Sequence, residues 1–196
     1  MYNYFWSTYI PVYILFRKKI GFTYHDVSNF YDEDSRVESL DYRDKSVDLI
    51  YASHVIEYFD RLEVLSVLKE WKRVLRIDGV LRIAVPDFYQ MAKLYLVDSY
   101  DLEKFLGPLY GKMQIEKKTI DSDYESKIES QTIYHRTVYD FNNLKELLEE
   151  VGFRNVSKYN WRETEHSEFD DQSQAYIPHM DKENGTLISL NVESLK

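Results

Sequence analysis

Two stretches, Val47-Asp-Leu-Ile-Tyr-Ala52 and Val80-Leu-Arg-Ile-Ala-Val85, decide how this chain is read. Each is a short apolar run rich in strand formers. Such runs without alternation belong to strands covered on both faces. The turn-like Arg43-Asp-Lys-Ser46 precedes the first, and Pro86 closes the second. Between them, Asp60-Arg-Leu-Glu63 is a helix-start pattern. Asp60 can accept from the free amide three residues on, and Glu63 can reach back to the cap amide. Leu65, Leu68, Trp71 and Leu75 then recur at helical spacing, as an amphipathic helix facing a core requires. Asp78-Gly79 reads as the turn that stops it. A second helix is expected from about Asp87 to Val97, with Met91, Leu94 and Tyr95 inward. Strand, helix, strand, helix over 47–97 argues for a parallel sheet covered by helices, with a right-handed crossover.

Working outward, Val12 to Phe16 reads as a buried strand and Phe22 to His25 as another. Residues 98–138 form a loop or insertion, in which Ile115 to Gln131 is polar, without period, and reads as a mobile loop. Asp140 caps a helix carrying Leu144, Leu147, Leu148 and Val151, and Gly152 is its left-handed end. Val156 to Trp161 is a strand candidate, Arg162 to Asp181 a long polar and aromatic stretch, and Thr186 to Val192 a final strand. The length of 196 residues fits a single domain over 1–196.

Composition removes several function classes. There are no cysteines, which excludes a disulfide scaffold, a cysteine nucleophile and thiolate metal sites. The 25 Lys and Arg against 34 Asp and Glu give a net charge of −9, the wrong sign for a general nucleic-acid binder. The longest apolar stretch, Phe5 to Phe16, is broken by Ser7, Thr8 and Pro11. It is too short for stable membrane insertion, so the expected location is cytoplasmic. The aromatic N-terminal segment can pair with a second copy as an edge strand, which makes a homodimer an expected state. The counts of 18 tyrosines and 6 glycines are unusual, and the first 78 residues hold only Gly21.

In open parallel α/β sheets, ligands bind beyond the carboxyl ends of the strands. That places Ser53 and His54 at one such end, Asp87 at the next, and Arg162–Asp181 over the same edge. Three of the five histidines, His54, His166 and His179, fall in these places, and His25, next to Asp26, ends the strand candidate Phe22–His25. His54 and Glu57 lie one helical turn apart and read as a hydrogen-bonded pair facing a polar pocket. No metal is assigned to them, and no serine sits in a nucleophile elbow. Asp87 also reads as a helix N-cap.

The segment Ser46-Val-Asp-Leu-Ile-Tyr-Ala-Ser-His-Val-Ile-Glu-Tyr-Phe59 and the segment Leu68 to Asp87 resemble the corresponding motifs of class I S-adenosylmethionine-dependent methyltransferases, the type 11 group. Tyr159-Asn-Trp-Arg-Glu-Thr-Glu-His166 and Gln174-Ala-Tyr-Ile-Pro-His-Met-Asp181 are similar to a subgroup associated with bacterial surface-polysaccharide synthesis. The resemblance implies a Rossmann-like α/β fold: a seven-stranded, mostly parallel sheet with an antiparallel last strand and helices on both faces. It implies S-adenosylmethionine as cofactor, with Asp26 on the ribose, Glu38 to Leu40 beside the adenine, and Ala52, Ser53 and His54 lining the site. The acceptor, a small-molecule sugar or glycan-precursor hydroxyl, would enter at Asp87 and under Arg162–Asp181, where Tyr176 lies. His166 or His179 would serve as base, oriented by Asp170 or Asp171. The N-terminal βα unit is reduced: where the family has a glycine-rich loop, this chain reads Ile14-Leu-Phe-Arg-Lys-Lys-Ile-Gly21. That departure sets a second reading beside the first, a degenerate or truncated, non-catalytic interaction domain. An aromatic-rich carbohydrate-binding protein is a third.

Overall fold

A computed structural model describes residues 12–17, 22–25, 39–40, 42–120, 126–164, 167 and 172–196. Asp26, Glu38, His166, Asp170 and Asp171 lie outside the described residues. Ten strands and four α-helices are described: β1 (Val12–Arg17), β2 (Phe22–His25), β3 (Val47–Ser53), α1 (Glu63–Val74), β4 (Leu75–Pro86), α2 (Phe88–Val97), α3 (Glu103–Tyr110), β5 (Met113–Ile120), β6 (Ser126–Ile133), α4 (Phe141–Val151), β7 (Arg154–Lys158), β8 (Tyr176–Ile177), β9 (Thr186–Leu187) and β10 (Ser189–Leu195). The main sheet has six strands in the order β2-β1-β3-β4-β10-β7.

The decisive stretches form the one parallel pair among the described strands, with Ile50 opposite Leu81 and Ser53 opposite Ala84. Between them α1 makes the crossover. Its start is the capping box read from the sequence: Asp60 Oδ1 accepts from the Glu63 amide at 2.9 Å, and the Asp60 amide donates to Glu63 Oε2 at 3.1 Å. Val64, Val67, Leu68, Trp71 and Val74 put one face of α1 into the core, against Ile50, Ala52, Leu81 and Ile83. The Asp140 side chain caps α4 by accepting from the Asn143 amide, and Gly152 ends it at φ +91°. Leu144, Leu147 and Leu148 of α4 join the same cluster.

Several expectations are corrected. The helix does not run to Asp78-Gly79; it ends at Val74, and Leu75 already pairs with Val47. The register shifts before Leu49–Val80, so 76–79 form an irregularity within β4, with Asp78 at φ +59°. The sheet is mixed rather than mostly parallel. The last strand β10 is antiparallel to β4 as expected, but β7 pairs antiparallel with β10, and β1 pairs antiparallel with both β2 and β3. α1 and α4 share one face. On the other, the 3-10 turn Gln172–Gln174 packs on β4 and β10. The stretch read as a mobile loop over 115–131 belongs to a β5–β6 hairpin, with Met113 opposite Ile133. Met91 and Leu94 of α2 are buried as expected, whereas Tyr95 is 50% exposed.

Trp71 is the largest fully buried side chain among the described residues, and it joins the face of α1 to the sheet. Trp71→Ala is expected to cost about 3–5 kcal/mol in a urea titration.

Candidate functional site

The carboxyl end of β3 carries the polar residues that the sheet argument singles out. Ser53 is buried, and its hydroxyl has no hydrogen-bond partner among the described residues. The backbone then turns left-handed at His54, φ +54°, while the His54 amide donates to Ala84 O at 2.8 Å. A non-glycine residue in this region costs about 1 kcal/mol or more, and such outliers cluster at functional sites. A 3-10 turn, Ile56–Tyr58, brings Glu57 back beneath the imidazole. His54 Nδ1 lies 3.1 Å from Glu57 Oε1, and the Glu57 side chain is fully buried. This is the pair that the spacing of three indicated.

The sequence reading missed the other members. The chain leaving β6 runs along the 3-10 turn, with the Arg136 amide donating to Glu57 O at 2.7 Å and the His135 amide to Tyr110 O at 2.9 Å. His135 Nε2 thereby lies 3.8 Å from Glu57 Oε1, and its Nδ1 is 2.9 Å from Pro108 O. Burial holds the His135 pKa below the ordinary imidazole value, against the opposing pull of Glu57. Tyr58 stacks edge-on against His135 at 4.6 Å and donates its hydroxyl to Gly111 O at 3.1 Å. Burial first, then the Glu57 charge, raises the Tyr58 pKa well above the usual phenol range. On the other side, His54 Nε2 is 3.4 Å from Ser189 Oγ, at the start of β10. Ser189 Oγ donates to Asn191 Oδ1 at 3.3 Å, and Asn191 Nδ2 donates to Ser173 O at 2.9 Å. Ser189 and Asn191 are separated in sequence from His54 by the whole middle of the chain, and His135 sits in a segment read as loop. Nothing local marks them.

The remaining sequence-named residues divide. Ala52 turns its side chain into the core, so only its main chain faces the edge. Leu40 is not brought there at all. Its amide donates to Glu70 Oε1 at 2.7 Å and its carbonyl accepts from Arg73 at 3.0 Å, which ties it to the last turn of α1, beside the amino end of β3. Asp87 is a buried helix cap, accepting from the Gln90 amide at 3.2 Å. Burial pushes its carboxyl above the ordinary aspartate value. Tyr176 is packed rather than open: its hydroxyl accepts from Trp161 Nε1 at 3.3 Å, and Arg162 lies over both rings. His179 is exposed in the turn after Ile177-Pro178.

Residues 24–83 match a family model described as "Methyltransferase domain". No curated protein matches the chain. Among solved structures, the chain is similar to an S-adenosylmethionine-dependent methyltransferase from Mesorhizobium loti, with 13% identity, 83% of this chain and 68% of that one covered, and a TM-score of 0.40. A possible histamine N-methyltransferase from Thermotoga maritima gives 15%, 83%, 62% and 0.42. A methyltransferase from Archaeoglobus fulgidus gives 14%, 88%, 72% and 0.44. The chain thus spans about 62% of the Thermotoga maritima protein's length. The domain match contains β3, α1 and most of β4, the parallel unit, and the fold is Rossmann-like α/β. No helix among the described residues is long and apolar enough to cross a membrane.

A methyl group on Gly111, φ +46°, would overlap the His135 imidazole. Gly111→Ala is expected to cost at least about 1 kcal/mol through the left-handed backbone alone and to displace His135, seen as a changed His135 ring signal by NMR. For Asp87, the raised pKa means the folded state holds the proton more tightly than the unfolded chain. Its contribution favours folding below the ordinary aspartate range and is lost as pH rises through the folded value. Asp87→Asn, which keeps a cap acceptor, is expected to raise the urea midpoint at neutral pH, with the gain disappearing in acid.

Proposed function

We propose that this chain is an S-adenosylmethionine-dependent methyltransferase that methylates a hydroxyl of a small molecule, a sugar or glycan precursor, at the carboxyl edge of β3 and β4. The carrying observation is the parallel β3–β4 pair that ends in Ser53 and left-handed His54 within the segment matching a methyltransferase domain. Ligands of open α/β sheets bind at this edge. The Ser53 hydroxyl fits a polar nucleoside ligand: buried without a partner among the described residues, it carries a desolvation cost of about 1–3 kcal/mol that a ligand hydrogen bond offsets.

When bound, the cofactor supplies a sulfonium methyl group that is already a strong electrophile. What remains for the protein is alignment, exclusion of water and acceptance of a proton. Ser53 and the main chain of Ala52 and His54 would hold the cofactor, with Asp26 on the ribose. The acceptor would lie between Asp87 and the stretch 162–181. There Trp161, Tyr176 and the turn Gln172–Gln174 form a packed wall tied to β10 through Asn191. The preference for a sugar rests on the resemblance of Tyr159–His166 and Gln174–Asp181 to the polysaccharide-associated subgroup.

Titration calorimetry with S-adenosylhomocysteine tests this reading. The wild-type chain is expected to give saturable heat, and Ser53→Ala to weaken binding by about fivefold, the equivalent of one hydrogen bond of about 1 kcal/mol. A folded sample that gives no heat at saturating ligand overturns it.

A further inference from the structure

We propose that Glu57 fixes His54 as a proton acceptor at this edge, with the unprotonated Nε2 turned toward the methyl acceptor. The argument is a count of protons around one buried carboxylate. Glu57 is fully buried, and neither of its oxygens has a well-directed hydrogen bond among the described residues. An isolated buried carboxylate is strongly unfavourable, and a proton donor facing it removes that penalty. Among the described residues its ion pairs are with two imidazoles, His54 at 3.1 Å and His135 at 3.8 Å. His135 is committed elsewhere. Its Nδ1 lies 2.9 Å from the Pro108 carbonyl, which can only accept, so the proton of the neutral ring sits on Nδ1 and Nε2 offers Glu57 a lone pair. Burial favours that neutral ring. His54 Nδ1, 3.1 Å from Oε1, is the nearest group that can supply that proton, and with the proton on Nδ1 the neutral His54 ring carries its lone pair on Nε2.

The far side of the ring completes the device. The Asn191 amide is oriented by its donation to Ser173 O, which turns Asn191 Oδ1 to the Ser189 hydroxyl proton. Ser189 Oγ then presents a lone pair to His54 Nε2, 3.4 Å away. In the neutral ring these two lone pairs face each other, and no proton fills the gap. Once Nε2 takes a proton, it can donate to Ser189 while Nδ1 continues to donate to Glu57. Both donors of the imidazolium are then satisfied inside the protein, with a carboxylate on one side. His54 is the reachable member, with its side chain 15% exposed against 5% for His135 and none for Glu57.

For the chemical step this inference rests on the methyl-transfer reading. The acceptor hydroxyl proton moves to His54 Nε2 as the acceptor oxygen bonds the methyl carbon. The electron pair of the broken carbon–sulfur bond stays on sulfur, which becomes a neutral thioether. His54 is thereby the base in place of His166 or His179. Glu57 and Ser189 are positioning residues: the first sets the tautomer, the second receives the new N–H.

The test uses the full chain labelled with 15N-histidine. Long-range 1H–15N correlation spectra in mildly alkaline buffer assign the protonated nitrogen of His54. Nδ1–H is expected in the wild type and Nε2–H, the form favoured by a free imidazole, in Glu57→Gln. Ser189→Ala keeps the Nδ1–H form. A wild-type His54 protonated on Nε2, or a tautomer that Glu57→Gln leaves unchanged in a folded sample, overturns the inference. This measurement needs neither cofactor nor acceptor. Calorimetric heat with S-adenosylhomocysteine reports separately on the methyltransferase reading, so either can fail alone. With S-adenosylmethionine and a panel of methyl glycosides and nucleotide sugars, His54→Gln is expected to lower kcat by about 10²–10⁴ while S-adenosylhomocysteine affinity stays within about threefold. An unchanged kcat overturns the catalytic part.

Discussion

The parallel ladder between β3 and β4 is the constraint from which the site follows. Two parallel neighbours cannot be joined by a tight turn, so the chain must cross over, and α1 does so across the apolar face that Ile50, Ala52, Leu81 and Ile83 present. Both strands then end at the same edge. β10 enters from that edge beside β4, with Ser189 opposite Pro86. Ser53 and Asp87 lie 34 positions apart and Ser189 more than a hundred beyond Asp87, yet all three are delivered to one border. The hydrophobic burial of α1 and the position of the polar edge are thus a single event.

A second constraint acts within that edge. A carboxylate placed where water does not reach must be answered locally. The backbone around Glu57 is arranged accordingly. His54 is held left-handed by its own amide bond to Ala84, and the segment after β6 is held by amide donation from Arg136 and Thr137 to the Glu57 carbonyl. The β5–β6 hairpin, outside the main sheet, has an evident structural consequence. It returns the chain from the end of α3 to a point where His135 can lie against Pro108, Tyr58 and Glu57. Gly111 is required there because any side chain would occupy the place of the imidazole.

What was legible in the sequence follows the range of the interaction involved. The strands at 47–53 and 80–86, the Asp60 box, the Asp140 cap and the Gly152 end all arise from contacts within a few residues, and each has a compositional mark. The His54–Glu57 pair was readable for the same reason, being separated by three positions. The end of α1 was misplaced because Asp78-Gly79 is a turn signal wherever it stands. The long-range pairing of Leu75 with Val47 had already ended the helix. The anchor of Leu40, Glu70 and Arg73, lies some thirty residues away, beyond any local pattern. His135, Ser189 and Asn191 depend on strand pairings that no local pattern encodes.

The scarcity of glycine takes on a physical meaning at the N-terminal side of the sheet. A parallel β1–β2 pair would need a crossover of roughly 10–12 residues or more, and a glycine-rich turn is useful where such a strand bends directly into its helix. Here four residues, 18–21, separate β1 from β2, and the two strands pair antiparallel, with Arg17 opposite Phe22. A connection of that length admits a hairpin and no helix. The glycine-rich loop therefore has no structural place to occupy between these strands. The connection also leaves β1 at the amino end of β3, since Val12 pairs with Ala52 and Leu15 with Leu49. The opposite, carboxyl end of β3 carries the polar groups: a buried Ser53 hydroxyl without a partner among the described residues, beside an imidazole that the buried Glu57 faces.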